Sequence, residues 1–137
     1  MSETTNALAV INEQMDTAKS YYSGSAETFD EKRRLVNAMS NPDFRIADFI
    51  NKTINVVDVY VEMSAVTSQT TGELVEIPRV VLIDDKGKSY ASLSFGVFNS
   101  LKKIISVFGL PTWKDAIPIE VVRVQKGDRQ IYNLTVK

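Results

Sequence analysis

The stretch Ile54-Asn55-Val56-Val57-Asp58-Val59-Tyr60-Val61-Glu62-Met63 marks a change of period in the chain. Before it, apolar residues recur every three or four positions. Within it they alternate with polar ones, the signature of a half-buried strand. Val57, Val59, Val61 and Met63 share one face, whereas Ile54 and Val56 have the opposite parity. A single strand buries both sets only if its register shifts near Val56-Val57. A β-bulge is therefore expected there, of the kind that curls a long strand around a small barrel.

Downstream, the polar loop Thr67–Glu73 separates this first strand from a second, Leu74 to Ile83, where Pro78 implies an edge or bulged position. Asp84-Asp85-Lys86-Gly87-Lys88 has the chemistry of a hairpin turn. A third strand follows from Ser89 to Phe95, with Ala91, Leu93 and Phe95 on one face and Tyr90, Ser92 and Ser94 on the other. Val97, Leu101, Ile104, Ile105 and Phe108 then form a helical stripe, with Lys102 and Lys103 facing away and Gly109 and Pro111 closing the helix. Ile117 to Gln125 and Gln130 to Val136 read as strands four and five, joined at Lys126-Gly127-Asp128. The order β-β-β-α-β-β within 52–137 is that of a five-stranded Greek-key barrel, the OB-fold, whose commonest employment is holding single-stranded nucleic acid.

Upstream, residues 1–51 read as a helical N-terminal extension separate from the barrel. Leu8, Ile11, Met15, Ala18 and Tyr22 lie on one helical stripe, with Gly24 as its stop. Thr28 and Glu31 make a capping-box pattern for a second helix running to about Met39. Asn41-Pro42 breaks the chain before a short turn over 43–50.

Composition narrows the function. The chain has no Cys and no His, so thiolate chemistry, disulfides and the commonest general base and metal ligand are excluded. No nucleophile–base pair or ligand set is present, and neither an enzyme, a cofactor nor a metal is expected. The adjacent carboxylates Asp84-Asp85, the one constellation that could suggest a metal or acid–base site, are explained by turn chemistry. The start Met1-Ser2-Glu3-Thr4-Thr5 lacks the pattern of a secretory signal, and no apolar run suffices to span a bilayer, so a cytoplasmic protein without membrane partners is expected. The net charge of −1 is uneven: residues 1–51 carry eight acidic and five basic side chains, and residues 52–137 carry nine and eleven. The barrel segment is thus the basic part, although only a local basic groove would bind a polyanion.

Three phrases resemble a known family: Asn41-Pro42-Asp43-Phe44-Arg45-Ile46-Ala47-Asp48-Phe49-Ile50-Asn51-Lys52, then Pro78-Arg79-Val80-Val81-Leu82-Ile83-Asp84-Asp85-Lys86-Gly87-Lys88-Ser89-Tyr90, then Phe98-Asn99-Ser100-Leu101-Lys102-Lys103 with Gly109-Leu110-Pro111-Thr112-Trp113. Over residues 40–137 the chain is similar to the single-stranded-DNA-binding proteins of phages and mobile elements of Gram-positive bacteria. The resemblance implies an OB-fold that coats and protects single-stranded intermediates of replication or recombination. It transfers no residue-level binding motif.

The candidate contacts come from pattern alone. A sequence-tolerant site needs flat rings for bases and cations for phosphates. Tyr60 and Tyr90 alternate away from the apolar faces of their strands and are the expected stacking rings. Trp113 reads either as a base platform beside Lys114 or as a plug for the end of the barrel. Lys86 and Lys88 bracket one hairpin turn, Lys126 and Arg129 the other, and Arg79 and Arg123 lie within strands. Phe95, Phe98 and Tyr132 are expected in the core, Lys102 and Lys103 on the solvated helix face. The expected partner is single-stranded DNA, with self-association through the first helix and contacts to replication proteins as further expectations. The alternative is a protein-interaction module, a small barrel with a helical docking arm.

Overall fold

The structure is a computed structural model describing residues 3–23 and 27–137. Helix α1 (Glu3–Thr17), strand β1 (Ser20–Tyr22), helix α2 (Phe29–Ser40), strand β2 (Phe44–Arg45) and a 3₁₀ turn (Ile46–Phe49) precede the long strand β3 (Thr53–Thr67). Then come β4 (Leu74–Asp84), β5 (Ser89–Leu93), helix α3 (Phe95–Phe108), β6 (Ile117–Lys126) and β7 (Arg129–Val136). The β-β-β-α-β-β order within 52–137 is present, and the chain is mostly β.

All seven strands join one sheet, ordered β2-β5-β4-β3-β6-β7 with β1 added on β3. β3 is the spine. One of its edges pairs with β4 from Val56 to Thr67. The other is shared: Thr53–Val56 pair with β6, the Val57 carbonyl accepts from the Trp113 backbone N–H, and Tyr60–Glu62 pair with β1. The register against β4 shifts between Val56 and Asp58, where the parity argument requires it. Ile54 and Val56 before the bulge, and Val59 and Val61 after it, are all buried. The bulge bends β3, and the sheet curls into a half-barrel.

The buried stripe of α3 (Val97, Phe98, Leu101, Ile104, Ile105) fills the concave side. Ser94 caps the helix, its Oγ accepting from the Val97 N–H at 3.2 Å. Gly109 ends it at φ +89, a backbone conformation costly for other residues. Against α3 lies α1, whose Ala7, Ile11 and Met15 belong to the same hydrophobic cluster as the strands, as does Ile46. Residues on both sides of position 52 thus share one core. Part of the expected first helix is strand: α1 stops at Thr17, and Tyr21-Tyr22 pair with β3. Gly24, the expected stop, lies outside the described residues.

Helix α2 begins where the capping box indicates. The Thr28 Oγ1 accepts from the Glu31 N–H at 3.1 Å, and the Glu31 carboxylate accepts in return from the Glu27 N–H at 3.0 Å. This helix covers the other face of the sheet, where Ala38, Tyr60 and Val81 form a second small cluster with Tyr22, Ile83 and Ala91 beside it. The outer face of β3-β4-β5 is therefore covered around Tyr60 and Val81 and left open further along, at Arg79 and Leu93.

Candidate nucleic-acid interface

The two aromatic residues expected to face solvent do not. Tyr60 and Tyr90 are each 7 % exposed. Tyr60 lies in the cluster under α2, and its hydroxyl donates to Glu62 at 2.9 Å. Tyr90 points to the main core, opposite Leu82, stacked on Phe44 at 5.2 Å between ring centres and edge-on to Phe49. Its hydroxyl donates to Asp84 at 2.8 Å. The parity of β5 is thus the reverse of the sequence reading, because Tyr90 has a buried acceptor that removes the cost of burying its hydroxyl. Leu93, expected inward, faces out. Burial and the neighbouring carboxylates push both tyrosines up to about 12. Trp113, also 7 % exposed, joins the core, its Nε1–H donating to the Gly109 carbonyl at 2.9 Å.

Asp84 belongs to the same network. One carboxylate oxygen accepts from the backbone N–H groups of Lys86 and Lys88, at 2.9 and 2.8 Å, and the other from Tyr90. This shapes the β4–β5 turn. Lys86 and Lys88 line a groove of about 370 Å³ with Arg34 of α2, and Asp43 shares that groove.

The remaining openings lie where the half-barrel does not close. β5 and β7, the outer strands of the five that follow residue 52, share no ladder among the described residues. The first turn of α3 holds them apart. Gly96 is pressed so closely on β7 that a Cβ would collide with the Tyr132 carbonyl oxygen and come within 2.9 Å of the Ile131 side chain. On the side of α3 is a groove of about 780 Å³, whose lining includes Phe95, Asn99, Lys103, Lys126, Gln130 and Asn133. On the side of β2 is one of about 340 Å³, lined by Arg45, Ala47, Arg79, Ala91, Ser92, Leu93 and Tyr132. Leu93 borders both. Together they present Arg45, Arg79, Lys103 and Lys126, and among the described residues no carboxylate lines either one. In a chain with seventeen acidic and sixteen basic side chains, the larger groove shows a marked separation of charge, whereas Asp48 and Glu62 stand just behind the arginines of the smaller one.

A match to the Phi29-type phage single-stranded DNA-binding protein family covers residues 15–137. The chain belongs to that family. No curated protein and no solved structure matches it. The match to the phage single-stranded DNA-binding family begins within α1 and includes β1 and α2, so it extends well upstream of the residues that carry the resemblance.

For a member of the phage single-stranded DNA-binding family, the chemistry of the seam is apt: cations and amides beside exposed rings. Of the residues singled out from sequence, Arg79 and Lys126 line the seam. Arg123 is exposed on β6 directly opposite Tyr132, so the two share a face. Arg129 opens β7 opposite Lys126; its side chain lies outside the described residues. Lys86 and Lys88 are elsewhere, under the edge of α2.

Phe95, Tyr132, Arg45 and Lys103 also line the seam, although none is among the contacts expected from the sequence. Phe95 was assigned to the core, yet it is 53 % exposed. Ser94 is the helix cap, which makes Phe95 the first helical residue, outside the buried stripe; the Ser94–Val97 spacing carried that signal. Tyr132 packs partly buried against the main core, as expected, and reaches the seam two pairs beyond the core pair Val121–Leu134. Phe98 is buried, and the Lys102 ammonium lies 5.0 Å from its ring centre.

Proposed function

We propose that this protein coats single-stranded DNA by holding it along the seam between β5 and β7, largely without regard to sequence, and so protects strands exposed during replication or recombination. The supporting observation is that both grooves of the seam combine cations with rings and lack carboxylates among the described residues. Cations follow phosphates, and each stacked ring contributes about 1–3 kcal/mol whatever the base. We read the half-barrel as an open form of the OB-fold, because β5-β4-β3-β6-β7 is the order third-second-first-fourth-fifth among the strands that follow residue 52. Binding is passive: the protein captures the open strand and shifts the equilibrium away from hairpin and duplex. Action on such intermediates puts it in the host cytoplasm. Among the described residues no helix is long and apolar enough to cross a membrane.

Fluorescence anisotropy with labelled oligothymidylate, single-stranded and duplex, at two salt concentrations tests the reading. Salt-sensitive binding to the single strand, weak on duplex, and lost on Lys103→Glu/Lys126→Glu, is the expected result. Equal binding by that variant would remove the seam as the site.

A second reading, docking of replication proteins, has its own observation. Val107, Phe108 and Leu110 are exposed at the C-terminal end of α3, away from the seam. Both functions can therefore coexist. Self-association through α1 would have to use its outward face, since Ala7, Ile11 and Met15 are buried within the chain.

A further inference from the structure

The two grooves of the seam are chemically unlike, and the difference lies in what already holds their cations. In the smaller groove both arginines have a carboxylate partner standing outside the lining. Arg45 is clamped by Asp48 through two contacts, Nε to Oδ2 at 3.3 Å and Nη2 to Oδ1 at 3.1 Å. Arg79 meets Glu62 at 3.4 Å, and Glu62 is itself held on its other oxygen by the Tyr60 hydroxyl. Lys103 and Lys126, in the larger groove, make no ion pair among the described residues, and Asn99, Gln130 and Asn133 stand beside them.

A paired guanidinium is a poor phosphate ligand. Its charge is largely neutralised, so a phosphate brought beside it meets the carboxylate too and releases few counterions. What the pair keeps is shape: a rigid, planar group with its broad faces free and N–H donors left over. The rest of that groove is Ala47, Ala91, Ser92, Leu93 and Tyr132, a mainly apolar wall that disfavours an ion and accepts a ring. At about 340 Å³ it is near the lower end of cavities that hold small ligands, about 300–1,000 Å³.

We infer that the seam divides the strand between its two grooves: the Arg45–Arg79–Tyr132 groove takes a nucleobase, and the Lys103–Lys126 groove takes the phosphates. This rests on the seam being the binding site. Glu62 and Asp48, which touch no DNA in this arrangement, are positioning residues that turn two arginines from phosphate ligands into base platforms.

The test uses the full chain, a labelled oligothymidylate, and a strand of equal length made of abasic sites, each titrated over a series of salt concentrations. Arginine and carboxylate are removed together (Arg79→Gln with Glu62→Gln), so that net charge is kept and no lone carboxylate repels the strand. The double variant is expected to bind thymidylate about fivefold or more weakly, with the slope of log K against log[salt] unchanged and abasic binding unaffected. Lys126→Gln is expected to lower that slope by about 0.7 on both strands. Should the inner pair be needed for folding, Arg45→Gln with Asp48→Asn, where both side chains are more than half exposed, gives the same readout. A slope that falls by about 0.7 in the arginine double variants, or an equal loss on the abasic strand, would overturn the inference by making those arginines phosphate ligands. If the lysine variant also binds both strands like the parent, the seam itself is refuted.

Discussion

The two ends of the β4–β5 hairpin are built from similar residue types to opposite effect. At the turn end, polar groups satisfy one another. Asp84 accepts from two backbone N–H groups and from Tyr90, and the Asp43 carboxylate accepts from both the N–H and the hydroxyl of Ser89. At the seam end, Leu93, Phe95, Lys103 and Lys126 stand around open space without a carboxylate. On the reading proposed above, Phe95, Lys103 and Lys126 serve the strand because no partner within the described residues already holds them. Tyr90 is a structural aromatic because its hydroxyl has a buried acceptor, whereas Phe95, without such an anchor, is left half exposed.

The strongest way to break this contrast is to truncate one ring at each end. Tyr90→Ala is expected to cost about 3–5 kcal/mol of stability, the usual range for deleting a buried aromatic side chain. Phe95→Ala should leave the melting temperature nearly unchanged and weaken strand binding by about 1–3 kcal/mol. Denaturant unfolding and anisotropy, run on both variants, check the pair. A Tyr90→Ala protein that stays folded and loses binding would reverse the assignment.

Next in size is the joint that sets the width of the seam. Gly96→Ala drives a methyl group into the β7 backbone and is expected to cost about 1–3 kcal/mol, as overpacking usually does. Thermal unfolding measures the loss. A neutral substitution would mean that α3 and β7 separate readily.

A smaller effect concerns three buried tyrosines, of which Tyr90 belongs to the turn end. Tyr21, Tyr60 and Tyr90 are all held up at about 12, above the ordinary value of 10. A group raised in the folded state favours folding fully while it is protonated in both states, below pH 10. Its contribution declines as pH rises from there through about 12. Stability attributable to these rings is therefore flat through neutrality and falls above pH 10, and tyrosinate absorbance should rise later in the native protein than in the denatured one. Tyr90→Phe should remove part of that delay. The smallest expected change is Thr28→Ala, which deletes the α2 cap at about 1 kcal/mol and should leave strand affinity unaltered, since α2 lies off the seam.

The sequence disclosed what depends on local period and turn chemistry. The bulge at Val56/Asp58, the Thr28 cap, the two hairpin turns and the α3 stripe lie where their residues indicate, except that Phe108, expected on the stripe, is half exposed. What it concealed depends on the second covering of the sheet. Alternation identifies a buried face only when the other face is wet, and α2 covers that other face. Tyr60 therefore looked like a platform while lying under Ala38, and the β5 parity was inverted. Tyr21-Tyr22 continued a helical stripe on paper but lie along an edge of β3 that β6 has already left. The seam was the least legible part. Arg45, Arg79, Phe95 and Tyr132 are far apart along the chain, and only the curl of β3 brings them together. Arg79 and Lys126, candidates from their places on a strand and at a turn, do line the seam; Phe95 reads as core because it stands next to an apolar stripe without belonging to it.

The missing ladder between β5 and β7 has a mechanical consequence. A barrel lacking its last seam resists opening through the helix wedged at one corner and through the segment from β2 to Ile50, which pairs with β5 at one end and with Val121 of β6 at the other. A strand of DNA seated between those two edges would act as the final stave, fastening both sides of the sheet at once. Occupancy would then slow hydrogen exchange along β5 and β7 more than elsewhere, and would raise the melting temperature with ligand concentration as mass action requires. The protein would protect the strand, and the strand would close the protein.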